Sequence, residues 1–200
     1  MRVFDPNIST FLIGVGGHAK SLYESLESVD SKLIRYLDPL KADWLESLGI
    51  AKISQEDLEK ELSKNPQVII SFLGGTSEAL KKRLELMKLY NNMGGTLPII
   101  THSRSSISAR SKIDDGCQVF AGAMVNAFSH IGFGAVVNTN AVIEHDVVIE
   151  EGVHVAPSAV ILGGAHIGSN AYIGSNAVII QNTRVPEGVF VKAGSIWNKE

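Results

Sequence analysis

Residues 143–167 read IEHDVV, IEEGVH, VAPSAV, ILGGAH and a further Ile, with Ile or Val at every sixth position. The rule runs unbroken in both directions through Ile107, Ile113, Val119, Val125, Ile131 and Val137, and on through Ile173, Ile179, Val185 and Val191. The fifth position of each block is small, as at Cys117, Ala123, Ala135, Ala141, Ala159, Ala165, Ala171 and Ala177. A fixed short period sustained from Ile107 to Ile196 is the sequence signature of a solenoid.

The period dictates the architecture. Six residues make a short strand and a corner, and three such units make one triangular coil of eighteen residues. A β-branched side chain pointing inward stacks on its copies in the coils before and after, which suits a pleated, buried ladder. The small fifth residue is expected at the corner, where a bulky group would obstruct the turn. Residues 101–200 are therefore predicted to form an all-β parallel β-helix.

Composition narrows the partners. The chain has 200 residues and a net charge of -3, which gives no electrostatic reason for nucleic acid or an anionic membrane as partner. The first apolar segment, TFLIGV, is too short for a membrane span or a signal peptide, and a cytoplasmic protein is expected. One cysteine, Cys117, excludes an internal disulfide and falls on a small-residue position. No Cys/His metal set is legible, so no metal is expected.

Residues 1–100 have a different texture. STFLIG (9–14), LIRYLD ending at Asp38, and VIISFLGG (68–75) read as strands. SLYESLESV and TSEALKKRLELMKLYNNM have helical spacing, the latter with Thr76 as N-cap and Gly94–Gly95 as stop. Alternating strands and helices imply a small Rossmann-like parallel sheet, an α/β domain too short for a six-stranded dinucleotide fold. Gly14-Val15-Gly16-Gly17-His18-Ala19 matches G-x-G-x-x-G/A between a strand and a helix, with Asp38 at the end of the next strand. Such glycines let backbone approach a diphosphate, and such an acid can hold a ribose hydroxyl, without separating NAD from a nucleotide-sugar.

Within the repeats, His145 occupies the third position of its block, at a corner, flanked by Glu144 and Asp146. Ala127 and Gly163, one coil to either side, leave space beside the imidazole. A neighbouring carboxylate can orient one ring nitrogen while the other accepts a proton. His154 is placed to reach the corner column Pro157, Ser175, Ala193, a strip of small residues suited to a thin, extended ligand. His130 and His166 share a face two coils apart, too far to share a metal, and read as surface or interface residues.

GVGGHAK, the strand ending in Asp38, and NTNAVIEHD followed by HVAPSAVILGGAHIG together resemble the hexapeptide-repeat sugar O- and N-acyltransferases. Within that family the likeness is to bacterial UDP-4-amino-sugar N-acetyltransferases of the bacillosamine pathway and to sialic acid O-acetyltransferases. The resemblance implies a left-handed coil, acetyl-CoA as co-substrate, no metal, and a homotrimer with active sites between subunits. It implies His145 as general base tuned by Asp146, and His154, Gly163, Ser175 and Ala193 as contacts to acetyl-CoA. It implies a nucleotide-sugar site at Gly14, Gly16, Gly17, His18 and Asp38. Many relatives carry Glu where Asp146 stands, and two acids where Asp38 is followed by Pro39. The resemblance thus implies acetyl transfer to the amine of a nucleotide-linked sugar. Sialic acid O-acetylation, a non-catalytic β-helix scaffold and an NAD-dependent oxidoreductase remain as alternatives.

Overall fold

In the computed structural model, which describes residues 2–26 and 30–198, the chain from Ile100 to Trp197 forms three parallel sheets of two-residue strands. One sheet has six strands, from Ile100–Thr101 to Phe190–Val191, and carries Gln118 on its outer surface. The second has six, from Ser106–Ile107 to Ile196–Trp197, and carries Val142. The third has five, from Lys112–Ile113 to Arg184–Val185, and carries His130. We name the faces after these residues. Pairings such as Val136↔His154, Val142↔Val160 and His130↔Val148 join each strand to its copy three blocks later. This is the parallel β-helix that the period predicts.

The helix is longer than the Ile/Val rule. A strand ending at Thr101 opens it, and one ending at Trp197 closes it, with the indole packed on the core and its Nε1 donating to the Arg184 carbonyl at 3.0 Å. Neither residue is Ile or Val, so the pattern did not reach these two blocks.

The placement of the small residue needs correction. Turns occupy the third and fourth positions, and the fifth residue lines the interior. Ala135, Ala141, Ala159, Ala165 and Ala171 are as fully buried as Ile143, Ile149, Ile161 and Ile167. The turn is made instead by a left-handed residue at the fourth position, among them Gly134, Asn140, Asp146, Gly152 and Asn170. Two residues suffice to change direction because that backbone is tight, and Gly, Asn and Asp enter it at least expense. The fourth-position N–H then donates to the third-position carbonyl of the preceding coil, as Gly164 does to His145 at 3.0 Å. The turns are thus stacked into three edges as regular as the faces.

In the other part of the chain, β1 (Thr10–Ile13), β2 (Ile34–Leu37), β3 (Ala51–Lys52) and β4 (Gln67–Ile70) form one parallel sheet in the order β3-β2-β1-β4. The connecting helices are α1 (Gly17–Tyr23), α2 (Asp43–Glu46), α3 (Gln55–Leu62) and α4 (Ser77–Asn92). Strands β1 and β4 are buried throughout, which is why they read as continuous apolar runs. Both residues of β3 are exposed, so it leaves no apolar signal. The helix expected at SLYESLESV begins earlier, at Gly17, and gives way to a 3-10 turn over Glu24–Leu26; residues 27–29 lie outside the described ones. Thr76 caps α4, its Oγ1 accepting from the Ala79 N–H at 3.2 Å, and Gly94 with φ +102 follows its end.

Two compact units result. One is Arg2–Leu73 with Glu85–Pro98; the other joins Gly74–Leu84 to the chain from Ile99 onward. The first half of α4 therefore counts with the β-helix, where buried Arg83 donates through Nη1 to the Gly134 carbonyl at 2.5 Å. No helix among the described residues is long and apolar enough to cross a membrane.

Candidate active site

The edge between the Val142 and His130 faces carries His145 and Asp146. Asp146 takes the left-handed conformation, φ 59, at its fourth-position site. The two side chains are exposed, and Asp146 Oδ2 lies 2.8 Å from His145 Nδ1. A carboxylate can only accept, so Nδ1 carries the hydrogen, and in the neutral imidazole Nε2 is the acceptor. Asp146 therefore reaches the imidazole despite being one methylene shorter than Glu. At Gly163, a Cβ would lie 2.7 Å from His145 Cε1 and 2.8 Å from Nε2. The imidazole lies over this glycine, and a larger residue would displace it. Glu144 is half-buried and is not the carboxylate that holds the ring.

His154 sits elsewhere, on the Gln118 face, 6% exposed. Its Nε2 is 3.2 Å from Asn138 Nδ2. Asn138 Oδ1 is committed to the Thr139 N–H at 2.8 Å, so the amide nitrogen faces the imidazole and Nε2 accepts. The Tyr172 and His154 rings meet at right angles, 4.8 Å between centroids, and Phe190 stacks on Tyr172 at 4.9 Å. Ser175 and Ala193 lie on the edge between the Gln118 and Val142 faces. On the same edge, Arg104, Ala121, Gly122, Thr139 and Asn140 line a hollow of about 250 Å³. One chain thus does not bring His145 together with His154, Ser175 and Ala193: the Val142 face lies between them. Of the expected coenzyme contacts, only Gly163 meets His145 directly.

The remaining repeat histidines have partners of their own. His130 Nε2 is 2.8 Å from Asp114 Oδ2, and two coils on His166 Nε2 is 2.5 Å from Glu150 Oε1. Glu150 also accepts from Ser169 N–H and Oγ–H at 2.9 and 2.7 Å. The Ser169 hydroxyl and then His166 hold its carboxyl down at about 2. Cys117 is fully buried, its thiol donating to the Gly132 carbonyl at 3.0 Å, and burial pushes it up to about 12. A thiol so placed is no nucleophile at neutral pH. Among the described residues no three His, Cys, Asp or Glu side chains cluster to hold a metal.

In the α/β unit, the strand ends open onto a cleft of about 440 Å³ lined by Ile13, Gly14, Leu37, Asp38, Pro39, Gln55 and Phe72. Two of the five expected nucleotide-site residues, Gly14 and Asp38, are in its wall; Gly16, Gly17 and His18 are not. The motif residues divide by role. Gly14 has φ +99 and its Cβ would lie 3.0 Å from Phe72 Cβ, so this glycine serves packing. Gly16 and Gly17 have open space where a side chain would stand. Asp38 braces the turn, its Oδ2 accepting from Val15 N–H at 3.2 Å and its Oδ1 from Leu40 N–H at 2.8 Å. Ser71 Oγ donates to the Gly14 carbonyl at 2.6 Å, and Trp44 Nε1 to that of Val15 at 3.3 Å. Gln55 was missed from sequence because an exposed, helix-starting Gln has no periodic signature.

Residues 128–163 match the family model for the bacterial transferase hexapeptide (six repeats). The match falls within the β-helix, which is joined in this chain to a Rossmann-like α/β domain. Solved structures share this whole arrangement. GDP-perosamine N-acetyltransferase from Caulobacter crescentus, in a histidine-substituted form in complex with CoA and GDP-perosamine, has a TM-score of 0.82 at 26% identity, over 96% of this chain and 89% of that one. The acetyltransferase domain of PglB from Neisseria gonorrhoeae, in complex with acetyl coenzyme A, has a TM-score of 0.80 at 27% identity, over 94% of this chain and 92% of that one. WeeI from Acinetobacter baumannii, at 19% identity and a TM-score of 0.56 over 94% of each chain, shares the fold. No curated protein sequence matches the chain.

Proposed function

We infer that this protein is a cytoplasmic acetyltransferase that moves an acetyl group from acetyl-CoA to the amine of a nucleotide-linked amino sugar. The observation that carries the reading is His145, exposed on an edge, with Nδ1 held by Asp146 at 2.8 Å and Nε2 left as a base. The CoA-bound neighbours, alike over nearly the whole chain, support it. Nε2 takes a proton as the sugar nitrogen attacks the thioester carbonyl. The tetrahedral intermediate then collapses with departure of the CoA thiolate. A thioester is already activated and an amine is a good nucleophile, so no covalent enzyme intermediate is required. Donors aimed at the developing oxyanion, His154 or a backbone N–H, complete the site.

A homotrimer supports this chemistry. His145 and the strip of Ser175 and Ala193 lie on the two edges bounding the Val142 face, so packing of these faces sets one copy's His145 beside its neighbour's strip. The outward column of that face begins with Ser106 and is apolar from there on, through Met124, Val142, Val160, Val178 and Ile196, with Ile196 67% exposed. Acetyl-CoA then lies between copies, near Gly163, Ser175, Ala193 and the neighbour's face. The nucleotide occupies the cleft at Gly14 and Asp38, with Gly16, Gly17 and His18 toward the diphosphate.

The test is thiol release from acetyl-CoA against UDP-, dTDP- and GDP-linked 4-amino sugars and free or CMP-linked sialic acid. Rapid release with one amino sugar is expected. Release with sialic acid alone would replace the reading by O-acetylation, and silence with every acceptor would reject acetyl transfer.

A further inference from the structure

Phe128 breaks the rule of the turns. Fourth-position residues in the left-handed region are Gly, Asn, Asp or Ser everywhere else in the β-helix, yet Phe128 adopts φ 62. A bulky side chain avoids that region because its Cβ crowds the adjacent carbonyl. Burial does not offset the strain, since Phe128 is 66% exposed. For the fold alone, Asn would serve better. Strain that the fold does not need persists where a site needs the side chain.

The location matters as much as the conformation. Asp146 N–H donates to the Ala127 carbonyl at 3.2 Å, so the Ala127–Phe128 turn stacks directly beneath that of His145 and Asp146. The offset is one coil, about 4.8 Å. On the opposite side the imidazole already covers Gly163. The side of His145 left open is therefore the one that Phe128 flanks.

We propose that Phe128 is a binding platform for the apolar face of the acceptor's pyranose ring, an assignment that rests on the transferase reading above. One face of a pyranose presents C–H groups, which the negative face of an aromatic ring attracts while the hydroxyls stay hydrated. A sugar ring is comparable in width to one coil, so an amine at His145 Nε2 leaves the ring lying over Phe128. Acetyl-CoA is the poorer match, because Gly163, Ser175 and Ala193 all belong to coils beyond His145, on the side away from Phe128.

Phe128→Asn and Phe128→Tyr, compared with the unsubstituted protein on the amino sugar nucleotide it uses best, test this. For Phe128→Asn, the acceptor KM rises about five- to tenfold while the acetyl-CoA KM stays unchanged, the scale of one aromatic contact. Its melting temperature rises by about 2–4 °C as the strain is relieved. Phe128→Tyr keeps the native KM. An unchanged acceptor KM in Phe128→Asn, a shift confined to acetyl-CoA, or a lower melting temperature would overturn the proposal. Loss of assembly mass would overturn it too, by making the ring an anchor between copies. If the unsubstituted protein acetylates no acceptor, the transferase reading fails and this falls with it; normal turnover with an unmoved KM sinks only the platform.

Discussion

His145, the proposed base, owes little to burial. Its backbone is fixed by the turn ladder, its tautomer by Asp146, and its open flank by Ala127 and Phe128, while the imidazole itself stands in solvent. Replacement by Ala removes the base without touching the core. We expect His145→Ala to lower kcat by about 10²–10⁴, with circular dichroism and melting unchanged. Near-native turnover in the folded variant would reject the assignment. Glu150 is the structural counterpart, an acid held at about 2, well below the usual carboxylate range, first by the Ser169 hydroxyl and then by His166. A carboxylate depressed in the folded state stabilises fully above its unfolded pKa and loses that contribution as pH falls through its folded one. Wild type should therefore melt above Glu150→Gln at pH 7, with the gap closing between about pH 4.5 and pH 2. A gap that stays constant over that range would mean that Glu150 acts through shape alone.

At the scale of the element, the unit is a six-residue block with three fixed demands: a β-branched first residue, a left-handed fourth and a small fifth. The first and fifth were legible because inward side chains obey a strict alphabet. The fourth was legible in principle, as Gly116, Gly122, Gly134, Asn140, Gly152 and Asn170 attest, but Gly and Asn look like ordinary loop residues until a turn is known to need them. Hence the small fifth residue was assigned to the corner, although third-position residues such as His145 were also read there. Asn176 isolates this demand, since it is exposed, has φ 56, and its N–H meets the Pro157 carbonyl. Asn176→Ala should cost about 1 kcal/mol, seen as a fall of about 2–4 °C in melting temperature, while Asn176→Gly should leave it within a degree or so. Equal effects of the two would show that the side chain, not the backbone, is what the turn uses. The α/β part was legible where elements have an apolar face: β1, β2, β4 and α4 announce themselves, whereas β3, two exposed residues long, and α3 with its Gln55 do not. The candidate site followed the same division. A histidine beside an acid at a corner stands out, while the separation of His154 from His145 by a whole face depends on which edge each turn belongs to.

For the whole molecule, that separation is the main constraint. A regular prism cannot fold one edge onto another, so residues on the two edges flanking the Val142 face meet only if a second copy supplies one of them. The apolar column Met124, Val142, Val160, Val178 and Ile196 supplies the means, and closed cyclic packing of like faces leaves no column uncovered. Light scattering should then give three times 21.5 kDa. Mass alone does not prove shared sites, but mixing does. His145→Ala and His154→Ala homotrimers are each expected to be nearly inactive. If the two histidines of a site come from different copies, exchanging subunits at equal proportions gives a site with both intact about one time in four. Transfer should recover to about a quarter of wild type after unfolding and refolding the two variants together, and not after merely combining them cold. If His145 and His154 of one chain served the same site, no mixture could contain an intact pair, and activity would stay at the level of the single variants.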